Sequence, residues 1–147
     1  MVDVEELRER FLNLEYDTKA FEFDARDAAD AALHAGETLP EFIDPTHENF
    51  EVSCAFLASF ASGRRLPIDF PSLGGISMDG GKAVTSHEPV RGDTKLTGRT
   101  HLHEIYDKSG RSGRMIFIVA RTELKDDEGV HYATLDARQV IREKPDA

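Results

Sequence analysis

Asp44 and His47 are the pair of side chains whose types suit proton transfer, because a carboxylate and an imidazole can serve as base and acid around one water. They stand three residues apart in a proline-containing stretch, residues 37–49, that predicts a loop. Both side chains would have to reach that water at roughly 3 Å, and a loop does not enforce such a distance. We therefore favour a loop cap and a surface histidine, and keep catalysis by the pair as an alternative.

His101 and His103 form a second pair, on a run from Lys95 to Tyr106 whose alternation predicts a strand. Both imidazoles point to one side of that strand, and two imidazoles so placed can bind zinc. Glu104 points to the other side and Cys54 is distant in sequence, so no third ligand is evident. We predict no metal site here and interpret the pair as part of a polar or interface face of a sheet.

The segment Met78–Lys82 contains a glycine pair, Gly80 and Gly81, next to Asp79. Glycine lets a backbone approach a ligand closely and donate N–H groups to a thioester carbonyl. The same pair inside a strand can instead mark a β-bulge that bends the sheet, and both interpretations stay open. The segment lacks the earlier glycine and the following Ser or Thr of a phosphate-binding P-loop.

Length and charge limit the class of protein. The 147 residues, 39% of them hydrophobic, predict one globular domain over residues 1–147. A net charge of −10 repels nucleic acid and anionic membrane surfaces, so neither is expected as a partner. The N-terminus has no apolar signal segment and no run reaches membrane-spanning length, which predicts a cytoplasmic protein. The single cysteine, Cys54, has apolar neighbours and is expected to be buried.

Three segments predict helices. Val4 to Leu14 has apolar residues at a spacing of three and four, and Asp24 to Gly36 is alanine-rich, with Asp24 as N-cap and Gly36 as terminator. Phe50 to Ser62 is apolar on most sides, which favours a helix that something else covers.

The region from Gly74 to Arg142 predicts an unbroken antiparallel meander, and Lys19 to Phe23 a short edge strand. Arg114 to Leu124 is continuous enough to be a strand buried on both faces. Helices followed by a long sheet indicate an α+β domain. If the sheet wraps the apolar helix at Phe50–Ser62, the arrangement is a hot-dog fold. The spacing of apolar residues alone leaves this fold as one option among several.

Several short segments between Phe50 and Glu143 follow one another in an informative order. They are Val52-Ser-Cys-Ala-Phe56, Gly63, Leu66-Pro67, Phe70-Pro71, Asp79-Gly-Gly-Lys82, His87-Glu-Pro-Val90, Gly92-Asp93, Ile105-Tyr-Asp-Lys108 and Gly113-Arg-Met115. This order resembles the N-terminal, non-catalytic hot-dog domain of MaoC-type hydratases and dehydratases. There, Pro-Thr-Phe and His-Gly-Glu-Gln often occupy the places of the first segment and of the glycine pair. The resemblance covers about two thirds of the chain, and the helix from Asp24 to Gly36 is also similar to one that precedes this region in the family.

The resemblance implies a subunit of a heteromeric acyl-CoA hydratase. In such assemblies two hot-dog units join their sheets; one carries a catalytic Asp and His that activate a water, and the other shapes the acyl pocket. The family signature Asp-x-Asn-Pro-x-His is not met here, because Asp44 and His47 are three apart rather than five and no Asn precedes the proline. The resemblance therefore implies no catalytic residue in this chain, a catalytic MaoC-like partner subunit and no cofactor.

The same resemblance implies which residues form the acyl-CoA pocket. They are Phe56, Phe60, Met78, Asp79, Gly80 and Gly81. A non-catalytic half that enlarges the cavity would suit a bulky acyl group, such as a ring-bearing or steroid-derived one.

Two alternatives stay open. One is a self-sufficient homodimeric hot-dog dehydratase or thioesterase that uses Asp44 with His47, or Asp79 with His87. The other is an acyl-CoA-binding or regulatory module without turnover. The arginines that can meet CoA phosphates are Arg64, Arg65, Arg91, Arg111 and Arg114, although we favour ordinary solvated charges for them.

Overall fold

The structure is a computed structural model that describes residues 1–60 and 66–144. Its strands are β1 (Glu15–Phe23), β2 (Ile76–Ser86), β3 (Thr94–Gly110), β4 (Gly113–Lys125) and β5 (His131–Arg142). Its helices within those residues are α1 (Val4–Phe11), α2 (Ala25–His34), α3 (Pro40–Ile43) and α4 (Cys54–Ser59). The predicted α+β class is confirmed.

The five strands form one antiparallel sheet in the order β1-β3-β4-β5-β2. The prediction of an edge strand before α2 is confirmed, because β1 lies at one edge. The prediction of an unbroken meander is wrong at its first step, since β2 pairs with β5 and not with β3. Alternation along a strand identifies its two faces but not its neighbours, so this long-range pairing was not visible in the pattern.

The helices whose backbones lie closest to the strands are α1, beside β3, and α4, beside β2, whereas α2 lies mainly against α3 and α4. Helix α2 has clear signals at both of its ends. The Asp24 carboxylate caps it by accepting the Asp27 N–H at 2.9 Å, and Gly36 follows its end at φ +90°. Its buried side chains are Ala28, Ala29 and Ala32, and the first two belong to the same hydrophobic cluster as strand residues of β1 and β3. The prediction of a helix between Asp24 and Gly36 is confirmed.

The prediction of a covered helix over Phe50–Ser62 is confirmed only in part: a helix forms in this segment and contacts β2, but it is shorter and less buried than predicted. Helix α4 has six residues, begins at a Ser53 cap, and buries only Leu57. Residues 61 and 62 lie outside the described residues. Cys54 is exposed rather than buried, so that expectation is wrong. Val52, which precedes the helix, is only 2% exposed. Part of the apolar character of this segment is therefore explained by burial outside the helix.

One face of the sheet is covered at both ends by helices, over two hydrophobic clusters. The α2 cluster contains Phe21, Phe23, Ala28, Ala29, Phe50, Val52, Leu57, Val90, Leu96, Leu124, Ala133 and Leu135. The α1 cluster contains Val4, Leu7, Phe11, Leu102, Ile105, Ile116, Ile118, Ala120 and Ile141. Between the clusters, Thr100 and Thr122 share a buried hydrogen bond of 2.7 Å between their hydroxyl oxygens. The face is therefore apolar at both ends and polar at one central point.

Candidate functional site

Asp44 caps its own loop. One carboxylate oxygen accepts the Thr46 N–H at 2.9 Å and the Thr46 hydroxyl at 2.7 Å. These hydrogen bonds hold the pKa of Asp44 below its ordinary value, because they stabilise the charged form. A carboxylate stabilised in this way is a weaker proton acceptor, so its geometry is that of a turn cap.

His47 is held in the same loop by a second local contact. Its Nδ1 accepts the backbone N–H of Asn49 at 3.1 Å, which places the proton of the neutral ring on Nε2. Its own backbone N–H donates to the Asp44 carbonyl oxygen at 3.0 Å. Among the described residues no ion pair of 4.0 Å or less joins the two side chains. Asp44 and His47 thus lie in one loop, and each side chain accepts hydrogen bonds from residues of that loop.

Phe56 and Phe60 lie on the covered face of the sheet, at the edge of the α2 cluster. Their ring centroids are 4.9 Å apart, and Phe60 also meets Phe23 at 4.8 Å in an edge-to-face arrangement. Phe21 completes the group, with its centroid 6.1 Å from that of Phe60. Phe56 and Phe60 are partly buried, so each ring joins the core on one side and remains accessible on another. The sequence analysis named Phe56 and Phe60 as pocket residues and did not name Phe21 and Phe23, which join the same aromatic group and whose alternation on an edge strand was the available signal.

The segment from Asp79 to Gly81 is a β-bulge in the pairing of β2 with β5. The Asp79 carboxylate accepts the Gly81 N–H at 2.8 Å, and Gly81 has φ +98°. A Cβ at Gly80 would lie 2.8 Å from Arg138 Cγ and 2.9 Å from Val140 Cγ2. The bulge is a sufficient explanation for the glycine pair. The Gly81 N–H already donates to the Asp79 carboxylate and is therefore not free to bind a thioester carbonyl.

The predicted pocket residues do not all meet. Met78 pairs with Val140 across the strands, while the next residue towards the start of β2, Ser77, pairs with the buried Ile141. Because neighbouring residues of a strand point to opposite faces, Met78 lies on the face opposite to Phe56 and Phe60. It is 40% exposed there. The structure therefore brings Phe56 and Phe60 together and separates them from Met78.

The alternative pair of Asp79 and His87 is not brought together. Asp79 lies in β2 and His87 follows the end of that strand at Ser86. At about 3.3 Å for each strand residue, the two are separated by more than about 20 Å. They cannot act on one water within this chain.

Two histidine pairs are present. His101 Nε2 lies 3.3 Å from His103 Nδ1, and burial followed by the charge of His103 lowers the pKa of His101. The rings of His87 and His131 are in contact at a tilt of 38°, with centroids 4.3 Å apart, and both Nε2 atoms approach the Thr134 hydroxyl, at 3.0 and 3.2 Å. The second pair was missed because its members are far apart in sequence. Within the described residues, no group of three or more His, Cys, Asp and Glu is placed to hold a metal ion.

The arginines have separate roles. Arg114 donates to Asp107 at 2.8 Å and to Glu143 at 2.9 Å, and these pairings raise the pKa of the guanidinium. Arg91 donates to the carbonyl oxygens of Asn49 and Phe50. These two arginines hold the fold together. Residues 64 and 65, which are the other two arginines considered with Arg111, lie outside the described residues.

The fold is shared with solved dehydratase structures. A MaoC-like dehydratase from Phytophthora capsici is 20% identical over 99% of this chain, with a TM-score of 0.71. This chain spans 52% of that one, which is about half its length. The HadBC (3R-hydroxyacyl-ACP dehydratase) complex from Mycobacterium tuberculosis, truncated at its C-terminus, is 18% identical over 85% of this chain and 92% of its own, with a TM-score of 0.60. The ChsH1–ChsH2 complex from the same organism is 9% identical over 90% of this chain and 99% of its own, with a TM-score of 0.56.

These structural similarities confirm the predicted hot-dog fold. Helix α4, which lies within Phe50–Ser62, contacts β2 of the sheet. No helix among the described residues has the length and apolar character needed to cross a membrane. A comparison with curated protein sequences finds no match. A sequence profile for the FAS1-like dehydratase domain region matches residues 18–135. The chain therefore belongs to the family of FAS1-like dehydratase domain regions, a hot-dog family of dehydratases and hydratases.

Proposed function

We propose that this chain is the non-catalytic, pocket-forming subunit of a heteromeric hot-dog enoyl-CoA hydratase that acts in the cytoplasm. The observation that carries the proposal is the state of the loop at Asp44 and His47. In a chain of a dehydratase family, the one acidic and imidazole pair close together in this loop is used to cap a turn. A second polypeptide would then supply the acid and the base.

The chemistry assigned to the assembly is addition of water across the double bond of an α,β-unsaturated acyl-CoA. A base on the partner takes a proton from water as the hydroxyl bonds to the β-carbon, and an acid returns a proton to the α-carbon. This chain would contribute shape rather than proton transfer. Such a division requires the two subunits to share one cavity.

Two features support a shared cavity. Phe56 and Phe60 offer a partly exposed aromatic wall that can contact an apolar acyl chain. Strand β2, which carries Met78, Asp79, Gly80 and Gly81, lies at an edge of the sheet, where a second sheet can add by main-chain hydrogen bonds. We place the partner against this edge, with a bulky or ring-bearing acyl group against the aromatic wall. Complexes such as HadBC and ChsH1–ChsH2 among the similar folds are consistent with a hot-dog partner.

The experiment compares hydration of an enoyl-CoA by this chain alone, by the candidate partner alone, and by their mixture. We expect turnover in the mixture and none by this chain alone. In the mixture, Asp44→Asn and His47→Gln should leave kcat within about twofold of wild type, because neither side chain moves a proton. Phe60→Ala should raise KM for bulky acyl-CoA more than for a short one, since it removes part of the wall.

Matched replacements on the partner make the assay decisive. Replacing the partner's catalytic aspartate or histidine should abolish hydration by the mixture. Full activity of this chain alone, lost on Asp44→Asn, would instead establish the self-sufficient dehydratase. Thioester binding by this chain without any effect on a hydratase partner would favour a binding module.

A further inference from the structure

A groove of about 860 Å³ lies at the end of the sheet that is opposite to α2. Its walls come from Met1 and Val2, the residues before β2, the tight turn between β3 and β4, and the end of β5 with the two residues after it. Among the described residues that line it, the charged side chains are Arg111, Arg114, Arg142, Glu143 and Lys144. We call these five residues the basic groove. Four cations thus face one carboxylate.

The Glu143 carboxylate is already paired, with a guanidinium that it shares with Asp107. Glu143 accepts a hydrogen bond from Arg114 at 2.9 Å, and Arg114 also pairs with Asp107. The side chains of Arg111 and Lys144 are exposed and make no ion pair or hydrogen bond to other described residues. Arg142 uses only its Nε, which donates to the Ser112 carbonyl oxygen at 3.1 Å. Three cationic groups are therefore available to a ligand.

This local charge opposes the charge of the whole chain. The protein carries a net charge of −10, so its general field repels anions. A second groove, of about 490 Å³ beside β1, is lined by four carboxylates, those of Glu15, Glu123, Asp126 and Asp127, against the cations Arg99 and Lys125. Of the two grooves, the basic groove therefore has the more favourable charge for binding an anion. Guanidinium groups bind phosphate oxygens through paired N–H donors.

We propose that the basic groove binds the phosphate groups of a small nucleotide-like ligand, and that Arg111, Arg142 and Lys144 contact them. Its volume is within the range of small-molecule sites, about 300–1,000 Å³. Val2 and Leu73 add apolar surface beside the charges, which suits a ligand that carries more than phosphate. Phosphate binding here does not rest on the proposed function, and CoA serves as a probe because it carries a pyrophosphate and a 3′-phosphate.

The test measures binding of CoA, 3′-dephospho-CoA, inorganic pyrophosphate and pantetheine to the whole chain by titration calorimetry. We expect CoA to bind most tightly, 3′-dephospho-CoA and pyrophosphate more weakly, and pantetheine not at all. Because the contacts are between charges, affinity for CoA should fall as salt is raised. Equal binding of pantetheine and CoA would overturn the proposal, and so would no binding of CoA or pyrophosphate.

Variants locate the site. Arg111→Ala with Lys144→Ala should weaken CoA binding at least about tenfold, because each lost charge-assisted contact costs several-fold in affinity. Neither side chain has a partner among the described residues, so the fold should be retained, and Arg142→Ala provides an independent third variant. Arg99→Ala is the matched control, since this exposed arginine lines the acidic groove beside Glu15 at 3.5 Å.

The outcome separates this inference from the proposed function. Binding that is unchanged by both groove variants overturns the inference, even if the chain stimulates a hydratase partner. Conversely, binding of CoA that the groove variants weaken, with no stimulation of any hydratase, would sink the proposed function and leave the phosphate site in place.

Discussion

The hydrogen bond between Thr100 and Thr122 should have a stability effect that depends on whether one or both residues are replaced. These residues are direct cross-strand partners on β3 and β4, and they are 0% and 5% exposed. Their hydroxyl oxygens are 2.7 Å apart, and no buried side-chain nitrogen or oxygen among the described residues lacks a partner. A single Thr→Val change keeps the shape but leaves the other hydroxyl buried without its partner.

The expected magnitudes follow from that geometry. Thr100→Val and Thr122→Val should each lower the free energy of unfolding by about 1–3 kcal/mol, which is the cost of an unsatisfied buried hydroxyl. The double variant removes both hydroxyls and replaces them with methyl groups between two apolar clusters. Its free energy of unfolding should lie within about 1 kcal/mol of wild type. The double variant should thus be more stable than either single one.

Urea unfolding followed by circular dichroism measures this cycle, with the m value as a check that the unfolding transition is unchanged. An exposed cross-strand position on the opposite face gives a control, because Thr85→Val should change the free energy of unfolding by no more than about 0.5 kcal/mol. If the penalties of the two buried changes simply add in the double variant, the two hydroxyls do not satisfy each other and the reasoning is refuted.

Two further predictions concern the sheet. Gly80→Ala should destabilise the protein by about 1–3 kcal/mol, because a Cβ there would lie 2.9 Å from Val140 Cγ2; Gly110→Ala, where nothing lies within 4 Å, should be close to neutral, and equal melting temperatures for the two would contradict this. His101 has a pKa below its ordinary value of 6.5, so the unfolded chain takes up a proton more readily than the folded one. Stability should therefore fall as pH drops below about 6.5 towards the folded-state pKa, and His101→Gln should reduce that slope in urea titrations at several pH values. An unchanged slope would show that His101 is not the group responsible.

Local features of the fold were predictable from the sequence because they depend on residues near one another in the chain. The Asp24 cap and Gly36 terminator define α2 within one or two residues. The alternating residues of β3 indicate its buried face, although the bulge at His103 does not show in the pattern. The order of short segments along the chain indicated the hot-dog fold. Each of these signals depends either on a few neighbouring residues or on the order of short segments along the chain.

Features that join distant segments were decided by the tertiary structure. Strand β2 pairs with β5 rather than with its sequence neighbour β3, and this pairing brings His87 against His131. The same tertiary packing gathers Arg142 and Lys144 with Arg111 into one groove. A residue pattern records which side chains prefer burial, whereas the pairing of strands is set by the free energy of covering the whole sheet at once. The sequence by itself thus determined local elements such as α2 and β3 and the hot-dog family, whereas only the folded chain decided the strand pairing and which charged groups meet.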